Sequence, residues 1–118
     1  MIAHIVLFRP RADLVPEARQ QLAAAFEAAL GGIPSIRRAR VGRRFVHGRP
    51  YESLMRTDYT YAAILEFEDR AGLAAYLEHP SHAQLAAQFF HAFEEALMYD
   101  FELTDGTAGL AALLREAH

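Results

Sequence analysis

The start of the chain holds a strand that is apolar on both of its faces. The run Ile2–Phe8 reads IAHIVLF, consists mostly of residues that favour strands, and ends at Arg9-Pro10. Side chains of a strand alternate between two faces, and His4 is the polar exception here. A small antiparallel sheet usually leaves one face to water. This strand therefore predicts helices over one face of the sheet and a partner subunit over the other.

The rest of the chain alternates between helical and strand periodicity. After the first strand we predict, in order, a helix over Pro16–Leu30, a strand over Ile36–Val46, a loop over His47–Asp58, a strand over Tyr59–Glu68, a short helix capped by Asp69 and running to Glu78, a longer helix over Ser81–Leu97, and a strand over Met98–Leu103. The order β-α-β-β-α-α-β predicts a ferredoxin-like α+β domain with a four-stranded antiparallel sheet and a split second helix.

The length of 118 residues suits one domain. We assign that domain to residues 1–103 and treat residues 104–118 as a C-terminal tail. In this tail an amphipathic helix is predicted from the spacing of four apolar residues: Leu110, Leu113, Leu114 and Ala117. Apolar residues make up 53% of the chain, above the usual range of about 45–50%. The excess also favours a second buried surface, such as an oligomer interface.

Two residue types are missing, and their absence narrows the possible chemistry. All 12 residues counted as lysine or arginine are arginines, and the chain has no cysteine. A Schiff-base lysine, a cysteine nucleophile, a thiolate-bound zinc, an iron–sulfur cluster and a disulfide are therefore excluded. The lack of disulfides, of a basic N-terminal leader and of a long apolar run predicts a cytoplasmic protein without a membrane partner.

Histidine is then the side chain best suited to proton transfer near neutral pH. There are six: His4, His47, His79, His82, His91 and His118. His91 falls on the polar side of its predicted helix and is expected at the surface. His47 lies in a loop and His118 at the chain end, which makes both weak candidates.

Three polar side chains are predicted to face the core. His82 falls within the apolar stripe of its helix, Tyr76 lies on the apolar stripe of the helix before it, and His4 lies on an apolar strand face. An inward histidine is costly unless its ring nitrogens find partners. Each could be a satisfied core residue, but a largely apolar pocket with a few convergent polar groups is also how small-molecule sites are built.

A metal site has only weak support. The pair His79-x-x-His82 has helical ligand spacing, but Pro80 interrupts it and no H-E-x-x-H motif or cysteine accompanies it. We predict no transition metal and expect His79 to play a supporting, capping or hydrogen-bonding part. A hard cation such as magnesium near the carboxylates is left open. Phosphate-binding loops, dinucleotide-binding glycine patterns and nucleophilic-serine motifs are absent from the sequence.

Arginine is concentrated in the first half of the chain. Residues 1–57 hold ten arginines and four acidic residues, a net charge of +6, whereas residues 58–118 hold two arginines and 11 acidic residues, a net charge of −9. A basic segment can bind nucleic acid. The acidic balance of the whole chain, −3, works against that function, and we expect no nucleic-acid partner.

Five segments of the sequence recur in the order of one known family. They are Ile2–Phe8, Ile33-Pro34, Leu65–Asp69, Tyr76–His82 and Tyr99–Glu102. Together they resemble the stress-responsive A/B barrel domain (Dabb) family of the dimeric α+β barrel superfamily, over about residues 1–103. The Y-x-x-H-P-x-H block and the strand histidine are the most specific parts. The resemblance implies a homodimer in which two sheets pack face to face as a dimeric α/β barrel, with a pocket between each sheet and its helices.

The resemblance also implies a chemistry. A plant member of the family, olivetolic acid cyclase, closes a polyketide ring by aldol chemistry without a cofactor, and its site residues match His82, Tyr76 and His4. His82 is then expected to remove a proton beside a carbonyl, Tyr76 to polarise the carbonyl oxygen, and His4 to hold the ligand or tune His82. The expected ligand is a small apolar or carbonyl-containing molecule, with no cofactor. Two alternatives stay open: a non-catalytic dimeric stress or ligand-binding protein, and a cofactor-free monooxygenase.

Overall fold

The structure is a computed structural model that describes residues 1–107 and 109–116. The elements of this part of the chain are β1 (Ile2–Pro10), α1 (Pro16–Gly32), β2 (Arg38–Arg43), a 3₁₀ helix (Pro50–Leu54), β3 (Tyr61–Phe67), α2 (Arg70–Glu78), α3 (Pro80–Ala92), β4 (Phe93–Glu102) and α4 (Leu110–Arg115). The sheet order is β2-β3-β1-β4, and each pair of neighbours is antiparallel. The predicted ferredoxin-like α+β fold is confirmed.

Strand register divides the sheet into two different faces. His4 of β1 lies opposite Leu65 of β3 and Asp100 of β4, and directly opposite residues share a face. This face lies under the helices. The other face, which we call the far face, has no helix in the described chain and is largely apolar: Ile5, Leu7, Ile64, Leu97, Tyr99 and Phe101.

Helices α1, α2 and α3 cover the first face and form the core with it. Leu65 and Phe67 of β3 are at most 1% exposed. They belong to one cluster with buried residues from the helices: Leu22, Ala29, Tyr76, Leu85 and Ala92. Burial of a side chain of this size stabilises the fold by about 1.5–3 kcal/mol, so these contacts fix the helices on the sheet. No helix of the described residues is long and apolar enough to cross a membrane.

His79 lies at the split of the second helix and caps both halves, α2 and α3. Asp69 begins α2, with its Oδ1 accepting from the Gly72 N–H at 2.9 Å. His79 ends α2 by donating its backbone N–H to the Tyr76 carbonyl at 3.2 Å. The same residue begins α3, because its Nδ1 accepts from the Ser81 N–H at 3.0 Å. The interruption predicted at Pro80 is confirmed, and proline occupies the first helical position that suits it.

The predicted end of the longer helix is wrong. α3 ends at Ala92, and the segment 93–97 belongs to β4, which pairs with β1 from Phe93 opposite Pro10 to Glu102 opposite Ile2. Glutamate, alanine and leucine in this segment favour helices, but the antiparallel ladder with the central strand β1 pairs one edge of this ten-residue strand and outweighs that propensity. β2 is also shorter than predicted, and the predicted loop after it contains the 3₁₀ helix.

The C-terminal tail contains a short helix, α4, over Leu110–Arg115. Three of its residues, numbers 108, 117 and 118, lie outside the described part of the chain. The predicted place of Ala117 in the apolar stripe and the setting of His118 therefore fall outside the description. The division at residue 103 stays a prediction.

Candidate functional site

A small cavity of about 90 Å³ lies between the sheet and the three helices that cover it. Its polar wall is formed by His4, Tyr76 and His82. The other lining residues are apolar: Val6, Phe26, Leu30, Ala63, Leu65, Leu85, Ala86, Phe89, Phe90 and Met98. The three residues predicted to form a site are thus brought to one place by three elements, β1, α2 and α3.

Tyr76 lies at the centre of the three polar residues. Its ring centroid is 4.7 Å from that of His82, in an edge-to-face arrangement, and 5.8 Å from that of His4. The residue is only 3% exposed, and this burial raises the pKa of the phenol to about 12. Its hydroxyl therefore keeps its proton at neutral pH and can donate a hydrogen bond to a ligand oxygen.

His82 is the third residue of α3, where its backbone N–H donates to the His79 carbonyl at 3.0 Å. The side chain is half-buried. Burial lowers the pKa of His82, the charge of His4 lowers it further, and a hydrogen bond with the backbone of Leu77 acts in the opposite direction. A lowered pKa keeps the imidazole neutral near pH 7, which is the form that accepts a proton.

His4 is fixed by a carboxylate on the neighbouring strand. Its Nδ1 lies 2.6 Å from Oδ1 of Asp100, the residue opposite it on β4. A carboxylate only accepts hydrogen bonds, so Nδ1 carries the hydrogen and donates it, and Nε2 is the nitrogen that can exchange a proton. The His4 side chain is 8% exposed and that of Asp100 is 47% exposed. The pair holds the imidazole in one orientation beside Tyr76.

Asp100 is a member of the site that sequence reasoning missed. Strand alternation separates it from Tyr99 and Phe101, which lie on the far face. An acidic residue on the strand face that the helices cover is a sequence signal that could have identified Asp100 as a site residue. Its pairing with His4 depends on the register between the first and last strands, which a single sequence does not provide.

Three other histidines, His47, His79 and His91, do not line the cavity. His79 is the double cap described above and is not part of the cavity wall, so its contribution is to hold the first turn of α3, which carries His82. His91 is exposed, as predicted. In the exposed loop, His47 Nε2 is 2.7 Å from the Tyr51 hydroxyl. Within residues 1–107 and 109–116, no three His, Cys, Asp or Glu side chains group as metal ligands would.

Comparison with known proteins gives one family and a set of structural relatives. The family model for the stress-responsive A/B barrel domain matches residues 2–103. A hydroxynitrile lyase from Passiflora edulis is 21% identical with a TM-score of 0.73, over 89% of this chain and 94% of that one. A Dabb-family protein with a ferredoxin-like fold from Mesorhizobium loti is 20% identical with a TM-score of 0.69, over 87% and 96%.

A third relative is described as a dimer. This dimeric ferredoxin-like protein of unknown function from Thermobifida fusca is 24% identical, with a TM-score of 0.67, over 86% of this chain and 90% of that one. The comparison with curated protein sequences returned no match. At these identities the structural similarities establish the fold.

Proposed function

We propose that this chain, which belongs to the stress-responsive A/B barrel domain family, forms a homodimer. We also propose that its cavity carries out cofactor-free proton transfer on a small carbonyl-containing ligand. The observation that carries the proposal is the convergence of His4, Tyr76 and His82 on one apolar cavity of about 90 Å³. Similarity to a hydroxynitrile lyase supports a lyase-type reaction.

His82 acts as the general base in this proposal. Its neutral imidazole takes a proton from the carbon beside a carbonyl, and the electrons of the broken C–H bond move to the carbonyl oxygen to form an enolate. Tyr76 keeps its proton and donates a hydrogen bond from its hydroxyl to that oxygen, where negative charge develops. The enolate carbon then adds to a second carbonyl of the same ligand, and protonated His82 returns its proton to the new alkoxide. Protons and electrons balance without a cofactor.

His4 acts as a positioning residue. Asp100 holds its ring at 2.6 Å through Nδ1, and its ring lies 5.8 Å from that of Tyr76. Positive charge on both rings at once is disfavoured, which is the direction in which His4 shifts the pKa of His82. His4 therefore helps to keep His82 in its proton-accepting form.

The test is the rate of reaction of His82→Ala with a panel of β-keto thioesters and polyketide-like carbonyl compounds. His91→Ala, an exposed histidine on the same helix, is the matched control. Loss of a general base lowers the rate by about 10²–10⁴-fold, whereas the control should react like the wild type. An unchanged rate in His82→Ala refutes the assignment. Wild-type protein that binds these compounds without converting them supports the ligand-binding alternative.

The homodimer is proposed from the far face of the sheet. Tyr99 and Phe101 are 55% and 48% exposed there, and a groove of about 700 Å³ runs between this face and the loop that follows β2. That loop also carries exposed large apolar residues: Phe45, Val46, Tyr51, Leu54 and Met55. Contiguous apolar surface of this kind marks an interaction site. Relatives described as dimeric support a second copy as the occupant.

The dimer can be tested by sedimentation. Wild-type protein should sediment at about twice the chain mass of 13.2 kDa. Ile64→Arg places a charge in the centre of the far face and should give a monomer, because an unpaired buried charge is strongly unfavourable. Gln88→Arg, on an exposed position of α3, makes a similar change elsewhere and should leave the dimer intact. A wild-type monomer at micromolar concentration would contradict the proposal.

A further inference from the structure

A second concave site, outside the cavity, is lined by arginines. It has a volume of about 380 Å³, and it lies where the end of β1, the end of β2 and the first turn of α1 come together. Four arginines line it: Arg9, Arg19, Arg43 and Arg44. Asp58 is the carboxylate among its described lining residues. This is part of the arginine-rich first half of the chain, which the proposed catalytic function does not use.

Half of this positive charge is not neutralised by the protein. Two of the four arginines form ion pairs at N–O distances of 2.6 Å and 3.5 Å: Arg44 with Asp58, and Arg9 with Glu94. Within residues 1–107 and 109–116, neither Arg19 nor Arg43 has a carboxylate within ion-pair distance. The site therefore has spare positive charge, carried by Arg19 and Arg43.

An apolar groove continues from the arginine site along α1. Its volume is about 660 Å³, within the range of about 300–1,000 Å³ typical of ligand pockets. The two spaces share Arg19, Pro10 and Tyr61. The groove's apolar walls come from α1, β1 and β2: Leu22, Ala23, Phe26, Leu30, Phe8, Ala39 and Val41. Strand alternation places Arg43 on the same face of the sheet as Phe8, which lines the groove. Arg43 lies opposite Tyr61, and Tyr61 lies opposite Phe8.

The charged residues of α1 give the two ends of this groove opposite charge. Arg19 lines one end and Glu27 lines it eight residues further on, which is about 12 Å along the axis at about 1.5 Å per residue. An anionic group is attracted at the Arg19 end and repelled by the Glu27 carboxylate. The apolar wall between them suits a chain of methylene or aromatic groups.

We propose that this groove binds an anionic amphiphile: a carboxylate or phosphate head group held by Arg19 and Arg43, with an apolar chain lying along α1. The planar guanidinium fork matches both head groups bidentately. The apolar walls of the groove suit one apolar chain rather than a nucleic-acid duplex. Elsewhere in the first half of the chain, three arginines pair with acids: Arg11, Arg37 and Arg40. The proposal goes beyond catalysis at His82. The groove adjoins the cavity, because Phe26 and Leu30 line both, but none of His4, Tyr76 and His82 lines the groove, and its binding can be measured without turnover.

The experiment is calorimetric titration of the full chain with decanoate, decyl phosphate and decan-1-ol, each below its micelle concentration. The variants are Arg19→Gln and Arg43→Gln. The matched control is Arg38→Gln, which removes the same charge from the same strand but on the far face. Loss of a charge-assisted hydrogen bond should raise the Kd for decanoate and decyl phosphate about tenfold in each variant. Binding of decanol should be unchanged, and added salt should weaken the binding of the two anions alone.

Three outcomes would overturn the proposal. One is equal affinity for decanoate and decanol in the wild type. Another is equal weakening by Arg38→Gln, which would indicate a general charge effect. The third is binding to phosphatidylserine vesicles without binding to the soluble amphiphiles, which would assign the arginines to a membrane surface. His82→Ala should bind decanoate like the wild type, so a failure of the catalytic proposal leaves this test intact.

Discussion

The hydrogen bond between His4 and Asp100 should be worth enough free energy to measure as a coupling between the two side chains. A hydrogen bond to a charged group contributes about 1.5–3 kcal/mol when well shielded. The His4 side chain is 8% exposed, but that of Asp100 is 47% exposed, so solvent screening places this pair at or below the lower limit of that range. We therefore expect a coupling free energy of about 1–1.5 kcal/mol.

The measurement is a double-mutant cycle by urea unfolding at pH 7, using His4→Leu, Asp100→Ala and the double variant. Protomer concentration is held constant, because the stability of a dimer depends on it. The control cycle removes the Arg70–Glu102 ion pair, which involves the same strand two residues on and has side chains 83% and 61% exposed. Exposed pairs contribute little, so the control cycle should show a clearly smaller coupling.

A coupling below about 0.5 kcal/mol would refute the reasoning, since independent sites add within about that margin. The same conclusion would follow if Asp100→Ala destabilised the wild type and the His4→Leu variant equally. In either case the 2.6 Å contact would not hold the ring of His4, and the proposed positioning role would have no energetic basis.

Two further predictions concern the other polar residues of the cavity. Tyr76→Phe should lower the rate of the proposed reaction by about 10²–10³-fold with an equal or higher melting temperature, because phenylalanine keeps the ring contacts and removes a buried hydroxyl; a wild-type rate would exclude Tyr76 as a donor. Burial lowers the pKa of His82, so the neutral ring contributes stability that is present above its unfolded pKa of about 6.5 and is lost as pH falls through the lower folded value. Urea unfolding between pH 7.5 and 5 should show a steeper loss for wild type than for His82→Gln, and parallel curves would contradict the shift.

Much of the cavity could be predicted because its residues lie on elements with strong local patterns. The alternation in IAHIVLF placed His4 on one face, and the register confirms that this face lies under the helices. Pro80 divided the second helix, since proline lacks the N–H and favours a first helical position. The apolar stripes placed Tyr76 and His82 inward without any tertiary information.

What could not be predicted depends on contacts between distant segments. The residues from Phe93 to Leu97 fit a helix as well as a strand, and pairing with β1 decides between them. Asp100 becomes a partner of His4 only through that pairing, across 96 residues of sequence. Likewise Arg19 and Arg43 are unremarkable surface residues in sequence, and they share one concave site only because α1 begins beside the end of β2.

The double cap at His79 helps to set the shape of the cavity. Tyr76 and His82 belong to separate helices that meet at this one residue, and their rings are 4.7 Å apart. In an unbroken helix their spacing would be set by the helical repeat. Here the spacing depends on the angle between α2 and α3 at His79. A small change in that angle would move the two rings apart or together while the sheet keeps its register. A substitution at His79 would thus change which ligands the cavity admits without altering any residue that lines it.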